Sequence, residues 1–170
     1  MLRNVGTAGR WLLLASALLL VPVLVGCGSG GGGGEELIVD NTDAACEIVD
    51  GAWELAGTDD GNGSWGPDFY YLYADRDDVG HVRFATAVSA RAVYTVYIYW
   101  SADANRTTDQ PVIVHDANGI NTTYHVNLRE HGHQWFFLGQ HVMAPTGTYI
   151  EFTNDTDEGY CNADAVRLTR

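Results

Sequence analysis

Val93-Tyr94-Thr95-Val96-Tyr97-Ile98-Tyr99-Trp100 is the stretch on which the fold turns. Every residue in it is β-branched or aromatic, the types that suit a pleated, half-buried surface. Read with a period of two, Tyr94, Val96, Ile98 and Trp100 fall on one face, and Val93, Tyr97 and Tyr99 on the other. Both faces are apolar or aromatic. That predicts a central strand, covered on both sides in a packed β structure. A polar loop, 101–110, follows at once and is where chemistry is expected.

Outward from this strand the same texture continues. No segment from Glu35 onward carries a sustained 3.6-residue apolar period. Short apolar runs recur instead between Gly, Asn and Asp clusters, as in an all-β sandwich or barrel. The runs predict strands over Glu36–Val39, Trp53–Ala56, Phe69–Ala74, His81–Val88, Ala92–Trp100, Val112–His115, Thr122–Leu128, Gln134–Val142, Thr148–Phe152 and Ala163–Leu168. Asp60-Gly61-Asn62-Gly63, Asn118-Gly119 and Pro145-Thr146-Gly147 supply turn chemistry between them. If consecutive strands from His81 onward run antiparallel, loops 75–80, 101–110, 129–133 and 154–161 share one end of the sandwich. Turns 89–91, 116–121 and 143–147 share the other, plainer end.

The N-terminus reads differently. Arg3 and Arg10 precede an apolar stretch ending Leu24-Val25-Gly26-Cys27, the layout of a secretory signal. Leu24 to Cys27 resembles the lipobox of bacterial lipoproteins, which implies a signal peptide over residues 1–26 and lipidation of Cys27. The alternative is an uncleaved membrane anchor with an incidental cysteine. Residues 27–35, mostly glycine, form a flexible tether with a coil dimension of about 15 Å, and residues 36–170 form one domain. The expected location is the cell envelope, lipid-anchored and facing periplasm or exterior, with the lipid as the sole tie to the membrane.

The chain has no lysine and a formal net charge of −13. Clustered positive charge is what phosphate binding needs, so a nucleic-acid partner is disfavoured. Cys46 and Cys161 remain once Cys27 is lipidated. An even pair in an oxidising compartment predicts a Cys46–Cys161 disulfide, the alternative being two buried free thiols.

Several motifs follow one another in a known order: Ile38-Val39-Asp40-Asn41-Thr42-Asp43, Tyr94-x-Val96-Tyr97-Ile98 and Asn105-Arg106-x-Thr108-x-x-Pro111. Val114-His115-x-x-x-Gly119, Val126-Asn127, Gln134-Trp135-x-x-Leu138-Gly139 and Ala163-Asp164-Ala165-Val166-Arg167 continue the series. Together they resemble the golvesin and xanthan-lyase carbohydrate-binding-like (CBD-like) domain over Ile38 to Leu168. The resemblance implies a galactose-binding-like, jelly-roll β-sandwich of two antiparallel sheets. It also implies a sugar-binding role, usually beside an enzyme acting on polysaccharide or cell wall; no catalytic domain is expected within residues 1–170.

A sugar site pairs an aromatic face, which stacks on a pyranose, with planar groups that read hydroxyls. Trp65, Tyr70, Tyr71, Tyr73 and Tyr160 are candidate platforms; Trp53, Trp100 and Trp135 read as core. Trp65 stands out because Gly63, Ser64, Gly66 and Pro67 place it at a loop tip. Arg106 either grips hydroxyls or a uronic carboxylate, or forms a structural ion pair with Asp164 or a loop aspartate that pins the long loop. Asn105, Asn127, Arg129 and Asn162 are readers of hydroxyls or holders of turns. His131 joins the ligand-binding candidates, and with His133 and a carboxylate it is a candidate zinc or copper ligand. The acidic loops Asp75–Asp78 and Asp155–Glu158, with Asp155 and Asp157 as named ligands, are a possible structural Ca²⁺ site or a solvated acidic face.

No nucleophile elbow, zincin motif, Walker loop or dinucleotide fingerprint occurs, and no catalytic residue is assigned. The expected function is non-catalytic binding of an extracellular polysaccharide or of peptidoglycan glycan by the loop-rich end. The alternative is a protein-interaction or matrix-assembly module that binds no sugar.

Overall fold

The computed structural model describes residues 34–57 and 63–170. The expected signal peptide, the expected lipidation site Cys27 and the tether glycines before Gly34 lie outside the described residues, as does most of the Asp60–Gly63 turn. The described residues contain no helix. They form twelve strands: β1 (Glu36–Asp40), β2 (Cys46–Asp50), β3 (Glu54–Ala56), β4 (Phe69–Tyr73), β5 (His81–Ala85), β6 (Ala92–Tyr99), β7 (Gln110–His115), β8 (Asn121–Val126), β9 (Phe136–Met143), β10 (Tyr149–Thr153), β11 (Tyr160–Ala163) and β12 (Ala165–Thr169).

All pairings between named strands are antiparallel and make three sheets: β1-β12-β6-β9, β2-β5-β10-β7-β8 and β11-β4-β3. The run that opens the analysis is β6, an inner strand between β12 and β9. Its Tyr94, Val96, Ile98 and Trp100 are fully buried against Val82 and Phe84 of β5, Val112 and Val114 of β7, and Ile150 and Phe152 of β10. Burial of each such side chain stabilises the fold by roughly 1.5–3 kcal/mol. Trp100 also donates its indole N–H to Leu128 O at 3.2 Å, so its polar atom is satisfied inside the core.

The other face of β6 is not covered, which corrects the expectation of a strand buried on both sides. Val93 is 55% exposed, and Tyr97 and Tyr99 are half-buried. Trp65 and Trp135 lie across this face with Tyr99, at ring separations of 4.7 to 5.7 Å. Trp135 is therefore a surface aromatic and not a core one. Tyrosine tolerates this position because it presents an apolar body with a polar tip.

One predicted strand, Ala163–Leu168, is in fact the junction of two. β11 pairs with β4 and β12 pairs with β1 and β6, and Asp164 is the residue at which the chain passes from one sheet to the next. β1 and β12 match in register from Glu36↔Thr169 to Asp40↔Ala165, so the two ends of the domain lie side by side.

Candidate functional site

The loops of the richer end come together. Loops 75–80 and 154–161 meet where Gly80 N donates to Asn154 Oδ1 at 2.7 Å and Arg76 bonds Asp157. Loops 101–110 and 154–161 meet through Tyr160 N to Asn105 O and Thr107 N to Tyr160 O, both 3.0 Å. Loop 129–133 closes the group, with Arg129 Nε donating to Arg106 O at 2.7 Å and Nη2 to Glu158 at 3.1 Å. Gly159 permits this proximity. Its φ is +79°, and a Cβ there would stand 2.6 Å from the Arg106 carbonyl carbon and the Thr107 nitrogen. A side chain at that position would push the two loops apart.

A cleft of about 300 Å³ opens where the 101–109 loop meets the β11-β4-β3 sheet. Ala56, Phe69, Tyr71, Asn105, Arg106 and Tyr160 line it. The alternation of β4 explains the choice. Phe69, Tyr71 and Tyr73 point to the cleft side, while Tyr70 and Leu72 pack against the core. Tyr160 on β11 stands opposite Tyr73 and meets Tyr71 and Tyr73 edge-on, with ring centroids 5.7 and 5.1 Å apart. Tyr71 donates its hydroxyl to Glu54 at 2.5 Å, and this bond pushes the phenol's pKa up.

Arg106 closes the cleft from the loop side. Its guanidinium lies over the Phe69 ring, 5.2 Å from the centroid. Nε donates to Ser101 O at 3.1 Å and Nη1 to Asn105 Oδ1 at 3.0 Å. Burial pulls its pKa down, partly offset by Asp103 nearby. Asn162 follows Tyr160 on the same face of β11. It is 1% exposed, and neither its side-chain oxygen nor its nitrogen has a hydrogen-bond partner among the described residues.

Asn105, Arg106 and Tyr160 are thus brought together, with Asn162 beside them. Other candidates go elsewhere. Tyr70 faces the core, where burial and then the neighbouring Cys46 and Asp68 raise its pKa. Trp65 stands on the open face of β6. Asn127 holds a turn, accepting from Arg129 N at 3.0 Å. Arg129 clamps loops, as above. His131 is exposed and stacks on Phe136 at 6.0 Å. Phe69 and Glu54 were missed by sequence reasoning; the i, i+2 spacing of Phe69, Tyr71 and Tyr73 was the available signal.

Three expectations are corrected. Arg106 and Asp164 form no ion pair. Asp164 is fully buried at the sheet junction, and both its oxygens accept from Trp65 N at 3.2 Å. Burial above all, with Asp40 and Asp68 nearby, pushes its pKa up to about 8, so near neutral pH it is largely a neutral acid. Cys46 and Cys161 are free thiols, one on the edge strand β2 of the five-stranded sheet and the other on β11. Both have pKa values pushed up to about 12, chiefly by burial. The metal candidates do not converge. Asp155 and Asp157 are engaged by Arg76, and His131 and His133 sit in a tight turn at φ of 57° and 61°. Among the described residues no three of His, Cys, Asp or Glu come together as a ligand set.

Comparison with known proteins adds the following. Residues 37–170 match the family model described as Golvesin C-terminal domain. Among solved structures, a Paenibacillus xanthan lyase aligns with a TM-score of 0.72 and 32% identity over 79% of this chain. The chain spans only 13% of that enzyme. A family 35 carbohydrate binding module from Clostridium thermocellum aligns at 0.53 and 11% identity, covering 79% of this chain and 98% of the module. A CBM35 from Cellvibrio japonicus Abf62 aligns at 0.52 and 16%, covering 79% and 92%. These likenesses show the jelly-roll, galactose-binding-like β-sandwich fold. No curated protein sequence matches the chain.

Proposed function

The chain belongs to the Golvesin C-terminal domain family, and from that premise we propose that it is a non-catalytic glycan-binding protein. Its ligand sits in the cleft between β4, β11 and the 101–109 loop. The observation that carries this reading is the combination of Tyr71, Phe69 and Tyr160 with the hydrogen-bonding groups of Asn105 and Arg106 around one opening of about 300 Å³. Aromatic rings give a pyranose its stacking surface, and planar amide and guanidinium groups fix its hydroxyls. The carbohydrate-binding modules and the xanthan lyase that share this fold support the ligand class, and the lining of the cleft supports it as the site.

We further propose that the protein is a lipoprotein, a reading supported by Leu24-Val25-Gly26-Cys27. Acylation of Cys27 and the glycine tether would hold the domain just clear of a membrane at the cell envelope, with extracellular polysaccharide or peptidoglycan glycan within reach. We assign no glycosidase role: carboxylates are abundant in the sequence, but none is singled out as acid or nucleophile, and the residues lining the cleft include no carboxylate pair.

A glycan array probed with the full chain tests the proposal. Retention on at least one polysaccharide class is expected, and Tyr71→Ala together with Asn105→Ala should lower it by about tenfold. Absence of binding to every glycan, in a protein that unfolds cooperatively, would remove the reading.

A further inference from the structure

Arg106 differs from the other described arginines in what surrounds its charge. Arg76, Arg83, Arg129, Arg167 and Arg170 each hold a carboxylate. Arg91 is exposed and reaches Ala117 O and Asn118 Oδ1. Arg106 is the buried one, 9% exposed, and it has no carboxylate partner. The chain carries 22 acidic residues against 9 basic ones, so a counterion was readily available. Instead its hydrogen bonds go to two neutral acceptors, Ser101 O and Asn105 Oδ1, and Nη2 makes none among the described residues.

A guanidinium taken out of water without a counterion is costly, because neutral acceptors return only part of the lost solvation. Phe69 returns a little more as a ring under the cation. Asp103 acts on Arg106 only beyond ion-pair distance, and Glu54 is engaged by the Tyr71 hydroxyl. Arg106 is itself one of the residues that line the cleft. An anion seated there would complete the pair, and a carboxylate matches the planar fork of an arginine in two parallel hydrogen bonds. The aromatic walls ask for a pyranose ring beside that carboxylate.

We propose that the cleft selects an acidic sugar, a hexuronic acid residue within a polysaccharide, and that its carboxylate pairs with Arg106. This deepens the glycan-binding reading and rests on it. The net negative charge of the protein does not forbid it, since charges more than about 8 Å away are largely screened at physiological ionic strength.

The experiment compares a hexuronate-containing oligosaccharide with the same oligosaccharide after reduction of its carboxyl groups to primary alcohols. Binding of both to the full chain is measured by calorimetry. The acidic form is expected to bind at least about tenfold tighter, the scale of a charge-assisted hydrogen bond. Arg106→Gln should abolish the difference, and Arg106→Lys should keep part of it. The wild-type comparison needs no variant, so the test survives if Arg106→Gln fails to fold. Equal binding of the two forms would overturn the acidic-sugar inference and leave the cleft reading standing. Failure of both to bind, alongside an array without hits, would overturn the two together.

Discussion

Two faces of this molecule carry aromatic rings around one arginine, and they differ in how the arginine is held. On the open face of the four-stranded sheet, Arg167 lies over Tyr97 and Trp135 at 5.4 and 5.7 Å from their centroids, and Glu36 holds its Nε at 2.6 Å. In the cleft of the three-stranded sheet, Arg106 lies over Phe69 with no carboxylate. In the first assembly the rings pack tilted or edge to face on each other and the charge has a carboxylate at ion-pair distance, although Arg167 Nε makes no well-aligned hydrogen bond. The second leaves rings turned toward an opening and a charge without a partner. Aromatic content alone therefore does not single out a face; the unfinished electrostatics are what distinguish the cleft on which the proposal rests.

Asp164 joins the two faces and offers the largest effect. It separates β11 from β12, and its carboxyl holds the backbone of Trp65. Between its ordinary value of 3.8 and a folded value of about 8, the unfolded chain releases a proton that the folded chain keeps. Stability should consequently fall as pH rises through that window and level off above it. Asp164→Asn keeps an acceptor for Trp65 and removes the titration. At pH 8 it should stabilise the protein by on the order of 3 kcal/mol, or about 10 °C in Tm, with little change at pH 4. Thermal unfolding across that range would show the flattened slope. A variant destabilised at every pH would mean that Asp164 works as an anion.

A tenfold effect should separate the faces directly. Tyr160→Ala removes the ring that Tyr71 and Tyr73 lean on and should weaken glycan binding about tenfold, near 1.4 kcal/mol. Trp65→Ala should change it by less than about twofold, although Trp65 is the more exposed ring, at 44%. Titration of both variants with one oligosaccharide decides the matter. A reversal would move the site to the open face of β6.

Much of this layout could be read from the chain, and the limits have physical reasons. The direction argument collected loops 101–110, 129–133 and 154–161 because antiparallel strands force alternate connections to alternate ends. It placed Asn105, Arg106 and Tyr160 together on that basis. Tyr70 could not be told from Tyr71 because Phe69-Tyr70-Tyr71-Leu72-Tyr73 is apolar on both faces, so its parity could not be fixed without the pairing partner. β2 was missed because Ile48 and Val49 are both partly exposed at a sheet edge and give no alternation. The supposed Arg106–Asp164 pair failed because the chain changes sheets at Asp164, a break that no local pattern announces.

The smallest effect concerns what ties the cleft sheet to the rest. Cys46 pairs across β2 and β5 with Phe84, and Cys161 across β11 and β4 with Leu72. A bond between them would have fastened the three-stranded sheet to the five-stranded one and, by closing a loop of this length, added a few kcal/mol. As free thiols with pKa values near 12 they are almost wholly protonated and inert at neutral pH. Reductant should therefore leave Tm unchanged within about 1 °C, and thiol reagents should reach Cys161 only after unfolding. A drop of several degrees on reduction would show a bridge. The cleft sheet would then be covalently pinned where the sheet beneath Trp65 is not. With no bridge, packing and hydrogen bonds hold the cleft sheet, among them Asn154 Nδ2 to Tyr73 O at 2.8 Å and Asn162 N to Gln110 Oε1 at 2.9 Å.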